Sequence, residues 1–201
     1  VHELGHALGL KHPFDSSGIN NVILSSHEDN TFYTAMSYTD YSASFDGTMR
    51  SLDWMALTKF YGVNPTYNEA DDVYSFSELG GTFIIDGAGH DTINIMHTTH
   101  NVTVDLRPGS HSHVGDKSSY ITDANQLTIS HGSSIENVIT GFGDDIIIAT
   151  DEDNLILTGS GADTIFAGGG ADTINSGIGA DRIDLSEVIP ARDTIVLRGC
   201  G

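Results

Sequence analysis

At 201 residues the chain is long enough for one or two domains with a sizeable core, and its 28 Asp and Glu against 8 Lys and Arg give a formal net charge of −20. That balance excludes polyanionic partners such as nucleic acid and acidic membrane surfaces, and it favours cations. A lone cysteine, Cys200, excludes an intramolecular disulfide framework and reads as incidental beside the last residue, while no apolar run nears the roughly 18 residues of a membrane span.

The first element is Val1-His2-Glu3-Leu4-Gly5-His6-Ala7-Leu8-Gly9-Leu10-Lys11-His12-Pro13. Residues four apart share a helix face, so His2 and His6 present two imidazoles to one metal ion. Glu3 projects beside that ion without ligating it and is placed to take a proton from a water whose pKa the metal lowers to about 7. Gly9 accepts the positive φ that turns the chain and returns His12 as third ligand, leaving a fourth position open. A surface helix that merely happens to carry histidines is a poor account of six fixed positions. Val1 already lies inside this helix with no capping residue before it. The expectation is therefore a fragment, with a propeptide and further structure upstream. From Phe14 to Tyr33 the composition predicts a loop, with Ser16, Ser17, Gly18, Asn20 and Asn21 as turn formers, a short element around Val22–Leu24, and His27 as a surface residue.

The spacing His2-Glu3-x-x-His6-x-x-Gly9-x-x-His12 resembles the metzincin zinc proteases, and Pro13 after the third histidine resembles their serralysin branch. Ala35-Met36-Ser37-Tyr38 is similar to the Met-turn of that family. The resemblance implies that Met36 is the hydrophobic floor of a zinc site held by His2, His6 and His12. It also implies that Glu3 is general base and acid, and that Tyr38 is an extra zinc ligand that swings away to hydrogen-bond the oxyanion. The missing upstream part would then include the N-terminal subdomain forming the upper wall of the substrate cleft. Without that motif, Met36 would be ordinary core filler.

Residues 51–62 predict a helix with Ser51 as N-cap, Asp53 at its positive end, Gly62 as its stop, and Leu52, Met55, Ala56 and Phe60 facing the core. This resembles the last helix of a serralysin catalytic domain. A boundary follows near residues 62–70, marked by Asn64-Pro65. Beyond it, short strands are expected at Phe83–Ile85, Ile93–Ile95, Val102–Leu106 and Leu127–Ile129. His111 and His113 alternate and are read as exposed polar residues rather than a weak metal pair. Asp86-Gly87-Ala88-Gly89-His90-Asp91 is a lone stretch like a calcium loop.

An internal repeat of period nine then begins. Gly141-Phe142-Gly143-Asp144-Asp145, Gly159-Ser160-Gly161-Ala162-Asp163, Gly168-Gly169-Gly170-Ala171-Asp172 and Gly177-Ile178-Gly179-Ala180-Asp181 align. A degenerate repeat at 151–157 puts Asn154 in the aspartate position. Glycines allow tight turns, each aspartate offers a hard oxygen to calcium, and Ile147, Ile156, Ile165, Ile174 and Ile183 point into a core. Strict phase argues against a disordered tail, although repulsion between carboxylates would oppose folding without calcium. The array resembles the β-roll of the repeats-in-toxin family, which implies calcium between stacked turns, pairing Asp145 with Asp163, Asp163 with Asp181, and Asn154 with Asp172. Ile135-Glu136-Asn137-Val138-Ile139 is similar to the serralysin lead-in to that roll. Ala191 to Gly201 does not carry the acidic and hydrophobic ending of secreted relatives.

The expected fold is thus an α+β zinc-protease fragment (active-site helix, Met-turn and C-terminal helix) over residues 1–66, followed by an all-β parallel β-roll over 67–201 with its repeats at about 140–184. The resemblance implies a secreted, extracellular zinc-dependent metalloendopeptidase, stabilised by calcium and acting on proteins or peptides, with a proteinaceous inhibitor and a type I secretion apparatus as partners. The competing reading is a non-enzymatic calcium-binding repeat module, an adhesin or secretion carrier, against which His2 to Pro13 is the discriminating feature.

Overall fold

The computed structural model describes residues 1–17, 21–41, 48–186 and 191–196. Gly18, Asn20, Cys200 and the rest of the tail after residue 196 lie outside the described residues. The chain divides into two compact units, Val1–Gly62 and Val63–Gly201.

In the first unit, helix α1 (His2–Ala7) is cut short by Gly9, whose φ of 93° lets Leu10 N–H return to the Gly5 carbonyl at 2.9 Å. Val22–Leu24 forms no strand. Val22 and Ile23 are exposed, and the segment is tied down by Leu24 N–H donating to Pro13 O at 2.9 Å. Helix α2 (Ser51–Tyr61) corrects the expected cap: Arg50 is the N-cap, Ser51 is the first helical residue, and Asp53 reaches back to accept the Arg50 N–H at 2.9 Å. Its buried residues are Asp53, Leu57 and Thr58, whereas Phe60 is 64% exposed. Apolar spacing misjudges this helix because a carboxylate, counted as outward by periodicity, anchors its inner face. Leu10, Met36 and Leu57 form the small core, with Leu8, Met49 and Ala56 against it.

The second unit is built from thirteen described strands in two sheets. The first sheet runs β1 (Val73–Tyr74), β3 (Thr92–Asn94), β7 (Asn137–Ile139), β9 (Leu155–Leu157), β11 (Thr173–Asn175) and β13 (Thr194–Ile195), all parallel. The second runs β12 (Arg182–Asp184), β10 (Thr164–Phe166), β8 (Ile146–Ile148), β4 (Val102–Asp105), β5 (His111–Val114), β6 (Gln126–Ile129) and β2 (Thr82–Ile84), parallel except where β5 runs against β4 and β6. From β8 onward successive strands alternate between the sheets; β7 to β12 stack at a spacing of eighteen residues, and β13 stacks on β11 at twenty-one. Ile147, Ile165 and Ile183 lie in register, as do Val138, Ile156 and Ile174. Each sits mid-strand, where one face is buried, and together with Ile93, Val104, Leu127 and Ile129 they form one continuous core. The described residues are mostly β, with two short helices and largely parallel sheets, an architecture consistent with a β-roll.

His111 and His113 are not the exposed residues expected. Both are half-buried on β5, and His111 is bonded to Thr128 Oγ1 and to Gln126 Oε1, each at 3.0 Å. Gln126 also accepts from Ser118 N–H and donates to the Asp116 and Ala124 carbonyls, fastening the loop after β5 over this face.

Candidate metal centres

Helix α1 sets His2 and His6 one turn apart, and the reversal at Gly9 brings His12 to them. Their Nε2 atoms converge, with His12 at 3.1 Å from His2 and 3.2 Å from His6. The far nitrogens are committed: His2 Nδ1 donates to the Ala35 carbonyl at 2.8 Å and His6 Nδ1 to the Leu10 carbonyl at 3.0 Å. A carbonyl only accepts, so in both neutral rings the proton is on Nδ1 and the Nε2 lone pair faces the centre. Burial, with His6 and His2 adding to it, pushes the His12 imidazole below its ordinary value and favours a neutral donor there too. Three lone pairs aimed at one point repel unless a cation stands among them, and this donor set fits zinc. Glu3 lies exposed on α1 beside His2, and Tyr38 is 67% exposed with its ring 5.3 Å from that of His2 and 4.7 Å from that of His12. His27 stays exposed and outside the cluster.

Two supporting roles escaped the sequence reading, those of Gly5 and Asp53. Met36, 1% exposed, packs so closely under α1 that a Cβ at Gly5 would overlap its sulfur. Asp53 is 3% exposed and accepts from Thr34 Oγ1 at 2.6 Å and from Ala35 N–H at 2.7 Å. It therefore holds Ala35, the residue whose carbonyl orients His2. Asp53→Ala is expected to leave three donors without their acceptor and to cost about 3 kcal/mol or more, since each buried unsatisfied group costs about 1–3 kcal/mol. Urea unfolding of the first unit, followed by Trp54 fluorescence, measures this; an unchanged midpoint would remove the anchoring role.

In the roll, each repeat aspartate reaches toward the preceding turn on its own side. Asp163 Oδ1 accepts the Asp145 N–H at 2.9 Å, Asp181 Oδ1 the Asp163 N–H at 3.1 Å, and Asp172 Oδ1 the Asn154 N–H at 2.9 Å. The second oxygens of Asp145 and Asp163 are buried with no hydrogen-bond partner. Burial pushes the Asp145 carboxyl up to about 6 and raises that of Asp163 as well. Orphaned carboxylate oxygens at regular height suit a hard cation such as calcium. The backbone is compatible: Gly161 has φ 142°, and a Cβ there would overlap the Gly143 carbonyl, so only glycine lets the turns approach this closely.

Residues 58–197 match the family described as Peptidase M10 serralysin C terminal. The chain belongs to this serralysin C-terminal family. It is 34% identical over 178 residues to a serralysin of Proteus mirabilis, covering 76% of this chain and 35% of that protein. It is 32% identical over 175 residues to serralysin C of Dickeya chrysanthemi (74% and 35%), and 31% identical over 178 residues to a serralysin of Photorhabdus luminescens (75% and 35%). The chain thus spans about a third of the length of these relatives.

Within the serralysin C-terminal region a third group gathers around the calcium-loop-like stretch at Asp86–Asp91. Ligand atoms of Asp72, Asp86 and Asp91 lie within 4.8 Å of one another. Asp86 and Asp91 are fully buried, Tyr74 donates its hydroxyl to Asp86, and Asp91 Oδ2 has no partner. Burial drives the Asp91 carboxyl up to about 6, with Asp86, Glu136 and Asp72 adding repulsion. Asp72 carried no signal in the sequence because its partners lie beyond a turn and a strand.

Proposed function

We propose that this chain carries the zinc-binding part of a metalloendopeptidase active site together with a calcium-stabilised roll, in a protein secreted to act on other proteins. The observation that carries the reading is the meeting of the His2, His6 and His12 Nε2 atoms. These residues would hold zinc, which supplies Lewis acidity toward water and the scissile carbonyl. Glu3 takes the proton from the attacking water and delivers it to the departing amine, so that one carboxylate serves as base and then acid. Tyr38, at the rim of the cluster, turns its hydroxyl toward the oxyanion of the tetrahedral intermediate and donates to it. Met36 and Asp53 act through the imidazoles they support. In the roll, Asp145, Asp163, Asp172 and Asp181, with the carbonyls of Gly141, Gly143, Gly159, Gly161, Gly168, Gly170, Gly177 and Gly179, would hold calcium, and the orphaned carboxylate oxygens support this. Asp72, Asp86 and Asp91 form a further calcium group on the same grounds. Secretion accords with a roll that needs more calcium than a cytosol supplies, since extracellular calcium modules bind at about 10⁻⁴ to 10⁻³ M.

The test is metal content. Protein purified without chelator is expected to contain one zinc per chain by elemental analysis, and His6→Ala is expected to lose it. Folded protein without stoichiometric zinc would overturn the peptidase reading.

A further inference from the structure

One rung of the roll departs from all its neighbours. The carbonyls of Asp72, Asp91, Asp145, Asn154, Asp163 and Asp172 each accept the N–H of the strand residue above, at 2.7 to 2.9 Å, from Thr92, Asn137, Thr164, Thr173, Arg182 and Thr194 in turn. At Glu136 this bond is replaced. Its carbonyl accepts from the Asn154 side-chain Nδ2 at 2.8 Å, and the displaced Leu155 N–H donates to Asn137 Oδ1 at 3.2 Å.

Asn154, 2% exposed, has no unmet polar atom. Nδ2 also donates to Thr150 Oγ1 at 3.0 Å, and Oδ1 accepts the Thr150 N–H at 3.1 Å. Those partners fix the amide's orientation, because a carbonyl must receive a donor and an N–H must meet an acceptor. The aspartates in the equivalent position, Asp145 and Asp163, each leave one buried oxygen without a hydrogen-bond partner. Asn154 instead turns an N–H donor to the Glu136 carbonyl. Its turn also carries Thr150 and Glu152 where the other repeats have glycine.

We infer that the gap between the Glu136 and Asn154 turns takes no calcium, and that the Asn154 amide, with Asn137, does the ion's work there as a built-in, cation-independent splice. The inference rests on the calcium reading of the other turns. It makes the roll uneven, with one rung paired at any calcium concentration and able to seed the ion-dependent rungs beside it. Aspartate at position 154 would set an oxygen against the Glu136 carbonyl with no hydrogen between them, which only a cation could reconcile.

Hydrogen exchange read by mass spectrometry on the full chain tests this, in chelator and in millimolar calcium. In chelator the amides of residues 138–140, including Thr140 N–H bonded to Leu157 O, are expected to exchange at least tenfold more slowly than those of 164–166. Asn154→Asp should lose that protection in chelator and regain it with calcium, whereas Asn154→Ala should lose it without recovery. Wild-type 138–140 as labile in chelator as 164–166 would overturn the splice while leaving the calcium reading intact. If 164–166 ignore chelator, the calcium reading fails, and the splice then stands or falls on whether Asn154→Asp responds to calcium.

Discussion

Glu3→Gln, placed in a form of the protein that hydrolyses casein, is expected to retain its zinc and lose about 10²- to 10⁴-fold in rate, the usual contribution of a positioned general acid or base. The amide keeps the shape of the carboxylate but cannot accept the proton. The substitution leaves the imidazole cluster untouched, because His2 and His6 are oriented by the Ala35 and Leu10 carbonyls and not by Glu3. Separate measurement of zinc content and turnover therefore distinguishes a chemical role from a structural one. A variant that cleaves casein at the parental rate would strip Glu3 of its part, and one that loses zinc would make it a scaffold residue.

The second large effect is expected in the roll. At pH 8 in chelator the far-UV circular dichroism of the full chain is expected to lose most of its β signal, and millimolar calcium, but not magnesium, to restore it. The cause is the pair of buried, half-partnered carboxylates at Asp145 and Asp163. Proton linkage gives the same experiment a second arm. Asp145 has a folded-state pKa of about 6 against an ordinary 3.8, so without calcium its contribution is fully present below the lower value and is lost as pH rises through about 6. In chelator the melting temperature should therefore climb as pH falls from 8 toward 5. With calcium the trend reverses, because protons then compete with the ion. An identical folded spectrum in chelator and calcium at pH 8 would leave the roll independent of the ion.

What the sequence disclosed follows from how local each cause is. The imidazole cluster is written in contiguous spacing, one helical turn and one glycine reversal, so thirteen residues suffice to assemble it. Asp53 and Gly5 were not legible, because their reason for being lies in the loop at 34–36, which only folding brings to them. The nonapeptide phase announced the strands from β8 to β12 through their central isoleucines. Strand β5 carries no such mark: its inward residue is Ser112, which satisfies the Asp105 N–H at 2.9 Å, and the flanking His111 caps Gln126 and Thr128 on what would otherwise be a solvent face. Alternation of apolar residues cannot report a strand whose buried positions are polar.

The alternation of strands between two sheets also governs how such a chain can change length. From β7 to β12 every turn rests on the one eighteen residues away, as where Asp163 holds the Asp145 amide. Gaining or losing a single nine-residue unit would transfer every later aspartate to the opposite edge and set the Asn154 class of turn against the Asp163 class. A doubled unit preserves every partnership. Duplication in pairs is thus the natural quantum of growth for this molecule, and an odd count is a frameshift in three dimensions.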